Sequence, residues 1–188
     1  MKKIIILIAV ILILSIIVIL FAFQKDILKI TYPKKYTEAV EKYAKEHEVE
    51  EELIYALIKN ESNFKNDAKS HKSAMGLMQI IPETSIDVAN KNKIELDKNN
   101  LENELYNAEK NINIGTKYLA ELIKRYKNYP VAISAYNAGI GTVDNWIEKG
   151  IIQKDGKDIE KVPYKETNNY VRKVLRDYNN YKEIYNKN

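Results

Sequence analysis

A glutamate at the end of an apolar stretch is the first residue in this chain that could do chemistry. Leu53-Ile54-Tyr55-Ala56-Leu57-Ile58 leads through Lys59 and Asn60 to Glu61. Burial raises the pKa of a carboxyl group, and a carboxyl that stays protonated can donate its proton to the leaving oxygen of a glycosidic bond. Most glutamates are solvated surface residues, so the interpretation of Glu61 depends on the segments that follow it.

Two later segments supply polar groups that fit such an acid. In Gly76-Leu77-Met78-Gln79-Ile80, a glycine permits a tight turn, and the Gln79 amide can both donate to and accept from sugar hydroxyl or acetamido groups. In Ala135-Tyr136-Asn137-Ala138-Gly139, a phenol and an amide stand at a helix end, where Tyr136 could orient Glu61 or contact a substrate. Taken alone, each segment is more often a capped turn or helix end. Their combination with Glu61 predicts an acid catalyst in a polar groove.

Composition excludes several other chemistries. The chain has no cysteine, which rules out disulfides, thiol nucleophiles, thiolate metal sites and a lipid-modified cysteine anchor. The two histidines, His47 and His71, show no metal-ligand spacing, and we expect both on the surface. The sequence also lacks a Walker-type loop and a dinucleotide fingerprint. We therefore expect neither a metal nor a cofactor.

Charge gives little sign of a polyanionic partner. The formal net charge is +4, although 30% of the residues are charged, and lysines and glutamates are interspersed as in Glu38-Ala39-Val40-Glu41-Lys42. Such interspersion is typical of solvated helix faces. A nucleic-acid-binding protein would show a clustered basic stripe, so the sequence predicts no nucleic-acid partner.

The N-terminus carries a long apolar segment. Residues 4–23 are apolar except for Ser15, and at about 1.5 Å per residue a helix of this length crosses a hydrocarbon core of roughly 30 Å. The segment is longer than the apolar part of most signal peptides, and Leu20-Phe21-Ala22-Phe23-Gln24 is a poor cleavage site. We expect residues 1–23 to be an uncleaved transmembrane anchor, with a cleavable signal as the alternative. Lys2 and Lys3 favour a cytoplasmic N-terminus, although lysines also follow the segment.

Helical periodicity dominates the rest of the chain. We expect a juxtamembrane linker at 24–35, a catalytic domain at 36–188, and an all-α fold. The predicted helices cover residues 36–47, 51–61, 82–91, 107–126, 130–139, 142–148 and 167–185. Polar segments predict loops at 63–73 and 91–100, and a loop or small hairpin at 150–162 around Asp155-Gly156.

In their order and spacing, these pieces resemble the soluble-lytic-transglycosylase (SLT) domain family of bacterial lytic transglycosylases. The resemblance extends from about Glu51 to Tyr185. It is carried by Glu61-Ser62, Ser70, Gly76 to Thr84, Asn111 to Leu119, Ala135 to Gly139, Val162 to Thr167 and Tyr170-Val171. Each piece alone is modest, whereas the whole ordered set is specific.

The resemblance implies a helical lysozyme-like domain that acts on peptidoglycan glycan strands. Family members cleave the β-1,4 bond between N-acetylmuramic acid and N-acetylglucosamine without water and leave a 1,6-anhydromuramic end. The family's single catalytic acid corresponds to Glu61. Its substrate-groove residues correspond to Ser70, Met78, Gln79, Tyr136 and Asn137, with a further acidic residue at Glu166. The implied location is the cell membrane, with the domain on the cell-wall side, or outside the cell if the leader is cleaved.

Three other interpretations remain at this stage. A goose-type lysozyme would use water where a lytic transglycosylase uses the C6 hydroxyl. A non-catalytic wall-binding module would bind glycan and tolerate the loss of Glu61. A membrane protein whose outer domain only mediates assembly would bind no glycan. Asp67 is the nearest acidic candidate for a second catalytic group, but it lies in a polar loop and matches no catalytic position of the family.

Overall fold

The chain folds as a succession of helices. The structure, a computed structural model, describes residues 2–185, and this part contains no β-strand beyond two isolated bridges. Its α-helices are α1 (Lys2–Ala22), α2 (Gln24–Thr31), α3 (Thr37–His47), α4 (Glu51–Ser62), α5 (Pro82–Asn92), α6 (Leu101–Tyr106), α7 (Ala108–Tyr126), α8 (Tyr129–Ala138), α9 (Ile140–Glu148) and α10 (Lys165–Tyr185). Short 3₁₀ turns lie at Lys98–Asn100 and Ile159–Lys161.

The all-α prediction is confirmed, and the seven predicted helices agree with α3, α4, α5 and α7 to α10 within two residues at each end. Two helices were not predicted. Helix α2 occupies most of the segment expected as a linker, and α6 follows the polar connection, where six residues are too few to show a helical period.

The hairpin alternative for residues 150–162 is wrong. The segment is irregular apart from its 3₁₀ turn, because the Asn128 side chain, at the start of α8, donates to the Asp155 carbonyl at 2.8 Å. A Cβ added at Gly156 would lie 2.3 Å from the Asn128 side chain, so the loop docks against α8 at a glycine. The loop therefore pairs with a helix end and not with itself.

Helix α4 is the centre of the main core. All six residues from Leu53 to Ile58 are completely buried, which identifies a helix surrounded by protein on every side. Helix α10 packs along α4 and α8, and α7 packs against α3 and α8. A smaller cluster joins α7, α8 and α9 around Trp146 and Val143. The last turn of α4, with Glu61, is therefore held at the edge of a packed core.

Helix α1 stands apart from this core. Residues 2–20 have a mean hydropathy of 3.4 and are not buried by the rest of the protein, so α1 is long and apolar enough to cross a membrane. After α2, Tyr32 is already a buried core residue, only 8% exposed. The packed structure thus begins a few residues before the predicted domain boundary at residue 36.

A tight turn at residues 75–80 forms one side of the site and is anchored by Asn111 of α7. Met75 and Ile80 exchange backbone hydrogen bonds at 3.0 Å in both directions. The buried Asn111 side chain accepts from the Met78 amide at 2.8 Å and donates to the Met75 carbonyl at 2.9 Å and the Leu105 carbonyl at 2.8 Å. One amide side chain therefore satisfies three backbone groups that are otherwise shut off from water.

Two glycines allow this close approach. Gly76 has a φ of +77°, and a Cβ there would lie 2.2 Å from the Asn111 side chain. Gly115, one turn further along α7, leaves room for Met78, since a Cβ would lie 2.6 Å from the Met78 sulfur. The turn can lie against α7 only because both positions lack a side chain.

We expect Asn111→Ala to lower the free energy of unfolding by about 3–5 kcal/mol, because it leaves the buried Met78 amide and Leu105 carbonyl without partners and removes one of the two bonds to the Met75 carbonyl. Urea unfolding of the full chain in mild detergent, followed by circular dichroism, measures this loss. Asn113→Ala on the same helix is the matched control. It removes only a hydrogen bond between a half-buried Asn113 and His47, and should cost less than about 1.5 kcal/mol. Equal losses in the two variants would contradict the anchoring role of Asn111.

Candidate active site

Glu61 lies in the last turn of α4, where the helix leaves the core. The helix ends because Asn63 has a φ of +49°, and its amide donates to the Lys59 carbonyl. The Glu61 side chain is half-buried, and the Tyr170 hydroxyl of α10 donates a hydrogen bond to its Oε1. No described residue donates to Oε2, yet this atom is not sealed from solvent. One carboxylate oxygen is therefore held by the protein and the other is free for a substrate.

Burial favours the protonated form of this carboxyl group. It raises the pKa of Glu61 to about 7, and the hydrogen bond from Tyr170 partly opposes the rise. Burial, with the nearby Glu61 charge, also raises the pKa values of the Tyr136 and Tyr170 hydroxyls well above their ordinary range. Both phenols are consequently neutral hydrogen-bond donors, and Glu61 retains a proton in a large fraction of molecules at neutral pH.

Ser62 fixes the end of α4 to the opposite side of the site. Its buried hydroxyl lies 2.8 Å from the Leu77 carbonyl and 3.2 Å from the Ile58 carbonyl, so its single proton bridges the helix and the turn. The turn at 75–80 is held by Asn111 on its other side. Glu61 and Gln79 are thereby set in a fixed relation to each other.

A cleft of about 160 Å³ opens beside Glu61. Its walls include Glu61, Ser70, Gln79, Tyr136, Asn137 and Glu166. A second chamber of about 270 Å³ adjoins it, because Asn137 and Glu166 line both spaces. The structure thus brings five of the six residues predicted to bind substrate together with the predicted acid.

Ser70 and Gln79 are partly committed to holding the cleft wall. The Ser70 hydroxyl accepts from the amides of Lys72 and Ala74 at 3.2 and 3.1 Å. Gln79, at a φ of +47°, donates through Nε2 to the Ala68 carbonyl at 3.0 Å and to the Gly76 carbonyl at 2.9 Å. The hydroxyl proton of Ser70 and the Oε1 of Gln79 are the groups these bonds leave for a substrate.

The other wall of the cleft contains Tyr136 and Asn137, which lie in the last turn of α8. The Tyr136 hydroxyl donates to the Met78 carbonyl at 2.9 Å, and its ring packs on Tyr118 with centroids 5.3 Å apart. The Asn137 Oδ1 accepts from the Thr167 hydroxyl at 2.8 Å. That bond fixes the amide orientation, so the Asn137 NH₂ group is the one available to a ligand.

Met78 occupies a different position from the other predicted groove residues. Its side chain is completely buried, and its sulfur accepts a long hydrogen bond of 3.8 Å from Thr116. The side chain does not line the cleft, since it fills the space above Gly115. Met78 instead contributes through its backbone, where the carbonyl holds Tyr136 and the amide is held by Asn111.

The second acidic residue of the cleft is Glu166, in the first turn of α10, where it is exposed. Asp67 is exposed in its loop and is not among the residues that line either chamber. Among residues 2–185, no three His, Cys, Asp or Glu side chains are grouped so that they could hold a metal ion. The arrangement is that of one half-buried carboxyl group with neutral amide and phenol partners.

The sequence interpretation did not identify three residues of the site. Tyr170, which contacts Glu61, belongs to the residues that carry the family resemblance, but the sequence interpretation assigned it no role beside the acid. His71 was expected on the surface and is exposed, but it also lines the cleft. Asn60 lines the second chamber. The other histidine, His47, is half-buried and bonded to Asn113, so its predicted surface position is only partly right.

Comparisons with known proteins agree with this geometry. Residues 38–159 match the Transglycosylase SLT domain. Soluble lytic murein transglycosylase of Escherichia coli K12 is 32% identical over 152 residues, which are 80% of this chain and 23% of the relative. Membrane-bound lytic murein transglycosylase C of Edwardsiella ictaluri is 33% identical over 173 residues, covering 80% of this chain and 47% of the relative.

Solved structures give the same result. An inactive mutant of the lytic transglycosylase Slt from Pseudomonas aeruginosa superposes with a TM-score of 0.74 at 30% identity, covering 83% of this chain and 25% of that one. The 70 kDa soluble lytic transglycosylase from Escherichia coli gives 0.74 at 29% identity, with the same coverages. The chain therefore spans about a quarter of the length of these soluble relatives. Since the domain match covers most of the chain and the fold is shared, the chain belongs to the Transglycosylase SLT domain family.

Proposed function

We propose that this protein is a peptidoglycan lytic transglycosylase that uses Glu61 as its single acid and base. The observation that carries the proposal is the state of Glu61, a half-buried carboxyl whose pKa is raised to about 7 by burial and which has one oxygen open to the cleft. A group that titrates near the working pH can both donate and recover a proton. The relatives named lytic murein transglycosylases supply the substrate class.

In the first step, protonated Glu61 donates its proton to the glycosidic oxygen as the bond from C1 of N-acetylmuramic acid to that oxygen breaks. The carbonyl oxygen of the 2-acetamido group attacks C1 and forms an oxazolinium ion. Substrate assistance of this kind replaces the carboxylate nucleophile of most retaining glycosidases. It suits a cleft whose second carboxyl group, Glu166, is exposed at the start of α10.

In the second step, the Glu61 carboxylate takes the proton of the C6 hydroxyl while the C6 oxygen attacks C1. The bond from C1 to the acetamido oxygen breaks, and the 1,6-anhydro ring closes. Glu61 is then protonated again, and no water has been consumed. The hydrogen bond from Tyr170 helps here, because it stabilises the carboxylate that exists between the two steps.

Neutral polar groups position the sugar. The Asn137 NH₂ group is suited to donate to the acetamido carbonyl, and the Gln79 Oε1 is suited to accept from a hydroxyl or an amide N–H. Tyr136 supports both walls, since it lines the cleft and is bonded to the turn that presents Gln79. Ser70 and Glu166 contribute at the rims of the same cleft.

The apolar helix α1 is proposed to anchor the protein in the cell membrane, with the catalytic domain on the wall side. Its length and hydropathy support a span, and peptidoglycan lies outside the membrane. The relatives include both a soluble and a membrane-bound enzyme.

The central test is digestion of purified peptidoglycan by the full chain in mild detergent, with mass analysis of the released muropeptides. We expect products one water lighter than hydrolytic products, and loss of at least about 10³-fold in rate for Glu61→Gln. Glu109→Gln, at a surface carboxylate paired with Lys42, is the matched control and should retain full activity. Ordinary reducing ends would indicate a lysozyme, and glycan binding without release by either protein would indicate a binding module.

We expect the rate, as kcat/KM, to fall above about pH 7, where Glu61 loses its proton. Tyr170→Phe removes a hydrogen bond that lowers the Glu61 pKa, so this limb should move to higher pH while kcat decreases. Tyr136→Phe is the comparison, because that hydroxyl bonds to Met78 and not to Glu61. An unchanged limb in Tyr170→Phe would show that the hydrogen bond does not act on the acid.

A further inference from the structure

The outer face of α2 carries apolar side chains that nothing in the described part of the chain covers. Ile30 is 81% exposed and Ile27 is 48% exposed, whereas Leu28 of the same helix packs against the core. Phe23, directly before α2, is 56% exposed. Because Phe23, Ile27 and Ile30 are three and four residues apart, they share one face of the chain, and a contiguous exposed apolar face indicates a contact surface.

Helix α2 begins one residue after the proposed membrane anchor ends, with only Phe23 between them. The Phe23 amide donates to the Ile19 carbonyl and the Ile27 amide donates to the Phe23 carbonyl, both at 3.0 Å. Phe23 therefore bonds to both helices, although its φ of −98° and ψ of 7° interrupt the helical backbone. The 21 residues of α1 are about 30 Å long, which matches a hydrocarbon core of roughly 30 Å. With α1 in the hydrocarbon, α2 lies at the level of the headgroups.

Helix α2 is also fixed to the catalytic domain by a backbone clamp. Three successive carbonyls, of Thr31, Tyr32 and Pro33, accept hydrogen bonds from domain side chains. The donors are Lys59 at 2.8 Å, Tyr185 at 2.7 Å and Tyr181 at 3.1 Å. The segment after α2 is therefore part of the folded domain and not a flexible tether.

Side-chain contacts also join this segment to the domain, and one of them includes Asn60, which lines the second chamber. Lys34 lies 3.3 Å from the Glu51 carboxylate and about 5 Å from the ring centres of Tyr55 and Tyr185. The buried Asp177 carboxylate accepts from the Tyr32 hydroxyl at 3.3 Å and from the Asn60 amide at 2.9 Å. Asn60 lines the second chamber and precedes Glu61.

We propose that α2 is a membrane-surface element, with Ile27 and Ile30 inserted among the headgroups of the outer leaflet. The proposal rests on α1 being a membrane span. Lys25 and Lys29 in this helix and the exposed Lys35 after it outnumber Asp26, which favours anionic phospholipid headgroups. The exposed isoleucines supply the apolar contact and the lysines supply the charge.

Placement of α2 at the membrane surface limits the distance between Glu61 and the bilayer. Lys59 contacts the end of α2 and lies two residues before Glu61, so the Glu61 backbone is on the order of 15 Å from Thr31. The eight residues of α2 add about 12 Å. Glu61 therefore lies within roughly 30 Å of the end of α1. The substrate implied is the glycan strand nearest the membrane, and not strands deep in the wall.

The absence of native cysteine allows a direct test with single-cysteine variants. The full chain is reconstituted in mixed phosphatidylcholine–phosphatidylglycerol vesicles and labelled with an environment-sensitive fluorophore at Ile27→Cys or Ile30→Cys. Ser15→Cys in α1 is the lipid control, and Asn99→Cys, on the exposed Lys98–Asn100 turn, is the water control. Nitroxide attached to lipid headgroups and iodide in the buffer are the two quenchers.

We expect labels at 27 and 30 to be quenched several-fold more by headgroup nitroxide than the label at 99, and protected from iodide. Energy transfer from a donor at Lys65→Cys to acceptor headgroups should place it within about 45 Å of the bilayer surface. Iodide quenching at 27 and 30 equal to that at 99, with residue 15 in lipid, would overturn the proposal and leave the anchor intact. If the label at residue 15 is also quenched by iodide, α1 does not span the membrane and the premise of the proposal is wrong. A donor at residue 65 that lies more than about 45 Å from the bilayer would contradict the proposed limit on the position of Glu61.

Discussion

The structure depends on keeping one carboxyl group partly out of water. Glu61 lies where the buried helix α4 meets the cleft, and burial raises its pKa to about 7. The folded state therefore binds this proton more tightly than the unfolded chain does. Protonation of Glu61 therefore contributes to the stability of the folded state below the ordinary carboxyl pKa. This contribution is lost as the pH rises towards 7, by up to about 3 kcal/mol. The same burial that causes this loss keeps a proton on Glu61 in a large fraction of molecules at neutral pH.

The rest of the site follows from elements that cannot move independently. The turn at 75–80 is held by Asn111 from below and by Ser62 from the side, and its Met78 carbonyl holds the Tyr136 hydroxyl. Tyr170 reaches Glu61 from α10, the helix that packs along α4. In the proposed mechanism Glu61 alternates between acid and carboxylate, and preorganised neutral donors around such a group need little rearrangement.

The sequence predicts the parts of this site that depend on local pattern. The helical periods of α4, α7 and α10, the Gly76 turn and the end of α8 are all local signals, and the resemblance implies that Glu61 is the acid. The bond between Tyr170 and Glu61 joins residues that are 109 positions apart, and no period reveals it. The burial of Met78 depends on the missing side chain of Gly115, and α2 depends on contacts with α10. These features are tertiary, so they become visible only when the helices are packed.

Titration of the Glu61 carboxyl is the most direct test of the proposed mechanism, because that mechanism depends on a raised Glu61 pKa. Carbon-13 NMR of protein labelled at glutamate side-chain carboxyls, compared with Glu61→Gln to assign the signal, gives its pKa without any substrate. We expect one glutamate signal that titrates at about pH 7 and is absent from Glu61→Gln. If the Glu61 signal titrated below about 5, as for a solvated glutamate, the carboxyl would be ionised at neutral pH. It could not then serve as the acid, and the proposed mechanism would be wrong.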